Sequence, residues 1–184
     1  MEYKVELSYS HSTGFLISSI ITLFLITFAL IYIYLTNNKD SLHKTLSYII
    51  ENPFIILILL YTGLIIQEII RSITLLILRI GFNEQKFGFS FYTLMPYVTT
   101  KHPIKIYKYF FSLIIPLFCV LLLFTIFLVT KYLILSFVCI LIVFFYGFDF
   151  INIYYTLKNI KKDYLVSEHN NKPGIVLYEN PFKL

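Results

Sequence analysis

The sequence predicts an all-α integral membrane protein with four transmembrane helices and both termini in the cytosol. Three observations carry this. The 184-residue chain is 58% hydrophobic and only 14% charged, where soluble domains carry about 25% charged residues. Its apolar residues gather in uncharged runs long enough to cross a ~30 Å hydrocarbon core. Its Lys and Arg residues crowd into the connections on one side of those runs. The 19 Phe and 16 Tyr residues, with no Trp, belong to the same membrane composition. The chain is too short for a large transporter and reads as a single membrane domain.

The first run spans 14–36 and would rise roughly 35 Å as a helix. It reads as a retained span and not as a cleaved signal peptide, because the residues before it, MEYKVELSYSHS, lack a basic region and no small-residue cleavage site follows. The second run, 53–78, opens on Pro53, which suits the first turn of a helix. The third, 109–130, contains Pro116 and ends at a tight turn marked by Lys131. The fourth, 132–157, forms a helical hairpin with the third.

Orientation follows from the cations in the connections. Four spans put both termini and the segment between spans two and three on one side. That side holds Lys4, Arg79, Lys86, Lys101, Lys105, Lys108, Lys158, Lys161, Lys162, Lys172 and Lys183, against Lys39, Lys44 and Lys131 on the other. The first side is therefore read as cytosolic, with 158–184 as a cytosolic tail. The +5 net charge is met by anionic lipid, and no nucleic-acid partner is implied. The localisation implied is a cell membrane crossed several times, with the lipid bilayer itself as the first partner.

Two cytosolic segments have β character. Residues 86–100, KFGFSFYTLMPYVTT, are aromatic and β-branched, broken by Gly88 and Pro96. Residues 163–179 hold two strand-like runs around a turn at 170–174. Cys119 and Cys139 sit in apolar runs and read as small packing residues. The histidines, His11, His43, His102 and His169, are scattered without metal-ligand spacing.

The chemistry concentrates in YTGLIIQEIIRSITLLIL, residues 61–78. An ionisable side chain in a span costs about 2.5–3.5 kcal/mol on insertion scales, so it faces the bundle interior and takes a partner. Glu68 lies about 15 Å and Arg71 about 10 Å from the cytosolic end of the span. Gly63, Gln67, Arg71 and Thr74 form a small or polar stripe. The fourth span supplies Asp149 at a depth of about 12 Å, with Asn152 one turn on. Gln67, Glu68, Arg71 and Asp149 are expected to converge between spans two and four, as an ion-pair cluster of Glu68, Arg71 and Asp149.

The order of QEIIR at 67–71, FGFSFYTLMPYV, KIYKYFFSLIIPLF at 105–118, YGFDF around Asp149 and KKDYLVSEHNNKPGIVLYE resembles a bacterial zincin-peptidase family. That family is formally a domain of unknown function, of the site-2-protease kind of membrane metallopeptidase. The resemblance covers about 52–179. It implies a helix bearing His-Glu-x-x-His, a later Asp as third zinc ligand, and the Glu as general base. Carried over by position, Glu68 keeps a vestigial general-base place and Asp149 the third-ligand place. Gln67 and Arg71 stand where the two His would be. Gln is a poor neutral ligand and Arg offers no lone pair, so the zinc expected for the family loses two of its three protein ligands, and no cofactor is expected.

The reading that follows is a catalytically inactive pseudo-metallopeptidase in which the Arg71 guanidinium replaces the cation and pairs with Asp149, Glu68 or both. It would act as a binding, scaffold or regulatory protein, with a transmembrane or peptide partner along 86–100. One alternative is an unrelated four-helix membrane subunit whose Glu/Arg/Asp cluster is structural. Another is an active intramembrane metalloprotease, which would need His102 or His169 as ligands.

Overall fold

In an apolar medium a chain must satisfy its backbone polar groups within its own segments, and helices do so. The long uncharged runs all take this course. A computed structural model of the chain describes residues 3–36, 39–90, 95–160, 164–168 and 174–179. In chain order they form β1 (Tyr3–Ser8), α1 (His11–Leu35), α2 (Lys39–Glu51), α3 (Pro53–Ile77), β2 (Gln85–Ser90), β3 (Met95–Thr100), β4 (Ile104–Lys105), α4 (Ile106–Val129), α5 (Leu133–Phe145), α6 (Gly147–Asn159), β5 (Tyr164–Glu168) and β6 (Gly174–Glu179). The helices α1, α3 and α4 are each long and apolar enough to cross a membrane, and they coincide with the runs at 14–36, 53–78 and 109–130 to within three residues. Pro116 lies inside α4 without ending it.

The fourth run differs from the continuous helix predicted at 132–157. It is broken into α5 and α6, bent by 57° at Tyr146. The cause is a close crossing with α1. A Cβ on Gly147 would stand 2.5 Å from the Gly14 carbonyl oxygen and 2.5 Å from Ser18 Cβ, so only glycine lets the two backbones approach there. The Ser18 hydroxyl donates to the Phe144 carbonyl, a group close to the break and short of a regular helical partner. The break puts Asp149 in the first turn of α6, where the helix dipole favours a carboxylate.

Two elements escape the sequence reading. The connection 37–52 contains α2, whose 13 residues rise only about 20 Å. It cannot span, and its apolar positions Leu42, Leu46, Ile49 and Ile50 recur at helical spacing. At the other end of the bundle β1 enters a four-stranded sheet of order β1-β6-β5-β4. All of its pairings are antiparallel. The β-like segments predicted at 86–100 and 163–179 are present as β2–β3, an antiparallel two-stranded sheet, and as β5–β6. The turn expected at 170–174 lies, apart from Gly174, outside the described residues.

Because β1 and β6 pair, the first and last described strands lie at the same end of the helices. Both β1 and β4 run directly into helices, so the sheet caps the start of α1 and α4. The tail is part of the core and not an appendage: Val166, Ile175 and Leu177 are buried in one cluster with Leu113, Leu117 and Val143 of the helices. Gly174 makes this possible at φ 140, where a Cβ would collide with the Leu7 carbonyl oxygen.

The crossing of α1 over the α5–α6 break gives a direct test. Gly147→Ala is expected to lower unfolding stability in detergent by about 1–3 kcal/mol through overpacking. Gly81→Ala, where an added Cβ meets nothing within 4 Å, is expected to be near neutral in the same thermal melts.

Candidate functional site

The outward face of α3 carries Ile65, Ile66, Ile69, Ile73 and Ile77, all exposed. The opposite face carries Gln67, Glu68, Arg71, Ser72 and Thr74, all buried. This is the division that a helix set between an apolar surround and a polar interior requires. Gln67, Glu68 and Arg71 are 4%, 8% and 7% exposed, so any partners they have come from the protein.

The partner of Arg71 differs from the one expected. Its guanidinium forms an ion pair with Glu168 at the end of β5. Among the described residues no hydrogen bond or ion pair joins it to Glu68 or Asp149. Both acids do lie within electrostatic reach of it. The same Glu168 oxygen accepts the Tyr109 hydroxyl of α4 at 3.3 Å. One carboxylate from the sheet thus ties α3 to α4. The physical reason for the change of partner is topological. Depth along a helix places Arg71 and Asp149 at similar levels, but the tail folds back over the bundle and brings a more direct acceptor.

Glu68 serves a strand as well. Its Oε2 accepts the Val98 backbone N–H of β3 at 2.8 Å. Val98 therefore turns its main-chain N–H toward α3 and away from β2. A second latch lies two residues along, at the same end of the hairpin, where Gln85 pairs with Thr100. Ser72 Oγ donates to Gln85 Oε1 at 2.6 Å, and Gln85 Nε2 donates to the carbonyls of Ser72 at 3.3 Å and Ile80 at 3.2 Å. Leu75, Ile80 and Val98 pack together as a small buried cluster.

Asp149 is half-buried at the start of α6. Near it the Tyr9 hydroxyl donates to the Phe148 carbonyl at 2.7 Å and lies 3.5 Å from Asn152 Oδ1. Burial, with Asp149 and then Glu168 nearby, pushes the Tyr9 phenol well above its ordinary value, so it stays a donor at all working pH values. Gln67 Oε1 and Arg71 Nε are buried with no hydrogen-bond partner, and the Tyr146 side chain lies beside Gln67.

His102 is exposed in the turn between β3 and β4, where its carbonyl accepts the Thr100 hydroxyl at 2.9 Å. His169 lies outside the described residues. Glu168, Tyr109, Tyr9 and Gln85 were all missed as site residues by the sequence reading. Glu168 carried one usable signal, an acid closing an otherwise apolar strand-like run.

No family model, curated protein or solved structure matches the chain. The fold and site therefore define only a class, a helical protein of multi-pass membrane character with an internal charge cluster. The donor set at this cluster does not fit a zinc ion. Arg71 has no lone pair and its positive charge is held against Glu168, while Glu68 is engaged by a backbone N–H. Among the described residues no group of three or more His, Cys, Asp or Glu is placed to hold a metal.

Three outcomes are expected here. Glu168→Ala leaves the Arg71 charge with less compensation in a buried setting and is expected to destabilise by about 3–5 kcal/mol. The pair Arg71→Met with Glu168→Leu is expected to cost clearly less than the sum of the single changes, read as a double-mutant cycle of unfolding in detergent. Separately, Gln85→Ala removes three hydrogen bonds, so amide exchange across 95–100 is expected to accelerate about tenfold or more, with α1 and α4 unchanged.

Proposed function

We propose that this chain is a non-catalytic, multi-pass protein of a bacterial cell membrane, similar to zincin peptidases of the site-2-protease kind, that binds or scaffolds a partner segment. The observation that carries this reading is the use made of QEIIR. Its Glu68 and Arg71, at the general-base and second-ligand positions, each hold a β-strand against α3. A guanidinium in the place of a metal ion keeps the electrostatic balance of such a site while removing its chemistry. The cation-rich side, which includes both sheets, would face the cytosol.

The partner surface proposed is the hairpin within 86–100. Since Val98 directs its N–H to Glu68, the Phe87–Val98 pair is one whose main-chain groups face away from each other. Phe87 then offers its N–H and C=O on the outer side of β2, which is the edge of the two-stranded sheet. An extended peptide, or an unwound end of a transmembrane segment, can add there as a further strand. The exposed Phe87 ring and the Ile69–Ile73 face of α3 supply apolar contact.

An unrelated membrane subunit with a purely structural cluster is favoured by one fact, that the charged groups of α3 all point inward to other parts of the same chain. Metal analysis and mutation separate these readings from an active protease. Purified wild type is expected to be free of zinc, and Gln67→His with Arg71→His is expected to gain zinc affinity if α3 keeps a zincin-like frame. Stoichiometric zinc in the wild type, or cleavage of a membrane substrate abolished by Glu68→Gln, would overturn the non-catalytic reading.

A further inference from the structure

The end of the bundle opposite the sheets carries a cavity of about 330 Å³, at the lower end of the range typical of ligand pockets. Thr45 and Tyr48 of α2, Leu59 of α3, and Lys131, Tyr132 and Leu133 of the α4–α5 turn line it. The residues around it are mostly apolar, with one lysine and three hydroxyl-bearing side chains among them.

Lys131 occupies an unusual backbone position. It lies at φ 65, immediately after the cap of α4 at Thr130. The Tyr132 N–H bonds the Phe127 carbonyl at 2.8 Å and the Lys131 N–H bonds the Leu128 carbonyl at 3.3 Å. This is the Schellman arrangement, in which the left-handed residue is usually glycine. A lysine there bears the steric cost of a Cβ in the left-handed region. Its charge at the carboxyl end of α4 offsets part of that, and the residue also lines the cavity.

The level of the cavity is set by its neighbours. The helix α2 is too short to span, yet Leu46 and Ile50 are exposed at 49% and 78%. Such a helix lies along a membrane surface with its apolar side toward the acyl chains. Phe54 at the start of α3 is 80% exposed, at the same level. With α2 at a membrane surface, the cavity would open at the level of lipid head groups, next to the exposed apolar side chains of α2 and α3.

We propose that this cavity is a head-group site for a phospholipid of the leaflet it faces, with the phosphate held by Lys131 and the hydroxyls of Thr45 and Tyr48. Charge-assisted bonds to the phosphate oxygens supply the polar part of the binding, and the acyl chains lie against the exposed apolar sides of α2 and α3. Inorganic phosphate and glycerol phosphate carry the same polar group without the chains, and bind far more weakly.

Native mass spectrometry of the full chain released from phosphatidylglycerol nanodiscs tests this. Wild type is expected to retain one phospholipid. Lys131→Gly, which suits the left-handed turn and so preserves it, is expected to lose retention roughly tenfold or more. Thr45→Trp, filling the cavity, is expected to do the same with the melting temperature in plain detergent little changed. In micelles, added phosphatidylglycerol is expected to raise the melting temperature of wild type but not of Lys131→Gly, while equal inorganic phosphate raises neither. Equal lipid retention by wild type and Lys131→Gly, retention undiminished in Thr45→Trp, or a wild-type shift reproduced by inorganic phosphate alone overturns the proposal.

Discussion

A guanidinium buried among apolar helices must be neutralised by its own protein, and the fold is arranged around that demand. Arg71 is fixed in charge at every working pH. Its acceptor, Glu168, comes from the far end of the chain. To deliver it, the segment after α6 returns across the bundle as β5 and β6, pairs with β1, and buries Val166, Ile175 and Leu177 in the helical core. The ion pair is therefore less a local contact than the point at which the sheet and the bundle become one body. The net energy of such a pair is small or even unfavourable against an apolar replacement. Its effect is on specificity: the sheet has one register and one place in which Glu168 reaches Arg71.

The same helix face places the second sheet. Glu68 accepts from a strand backbone and Ser72 donates to Gln85, so the β2–β3 hairpin is held to α3 at two points near its Gln85–Thr100 end. A strand edge next to an apolar surround is costly unless its main-chain groups are paired. Glu68 pairs one such group on β3, and β2 forms the other edge of the two-stranded sheet. In this way the polar face of α3 holds the hairpin in place.

The opposite end of the bundle works by different physics. There the α4–α5 turn, the short amphipathic α2 and α3 meet around a mostly apolar cavity that Lys131 also lines. The left-handed positions Arg79 and Lys131 follow the ends of α3 and α4, at the two opposite ends of the bundle. Each places a cation where helix carbonyls lack partners and where a membrane boundary would lie.

Three spans, their limits and the polar stripe of α3 were legible in the sequence, because helix formation in an apolar medium depends only on local composition and spacing. The strands at 86–100 and 163–179 were legible from their β-branched and aromatic runs for the same reason. The break at Tyr146 was not, since Gly147 becomes a bend only when the Gly14–Ser18 face of α1 lies on it. Nor was β1, whose residues pair only with strand β6 more than 160 positions away. The choice of Glu168 over Asp149 as the partner of Arg71 was likewise a tertiary decision. Periodicity ranks residues by depth and face within one helix, whereas the closest acceptor for a buried charge depends on which distant segment folds back to meet it.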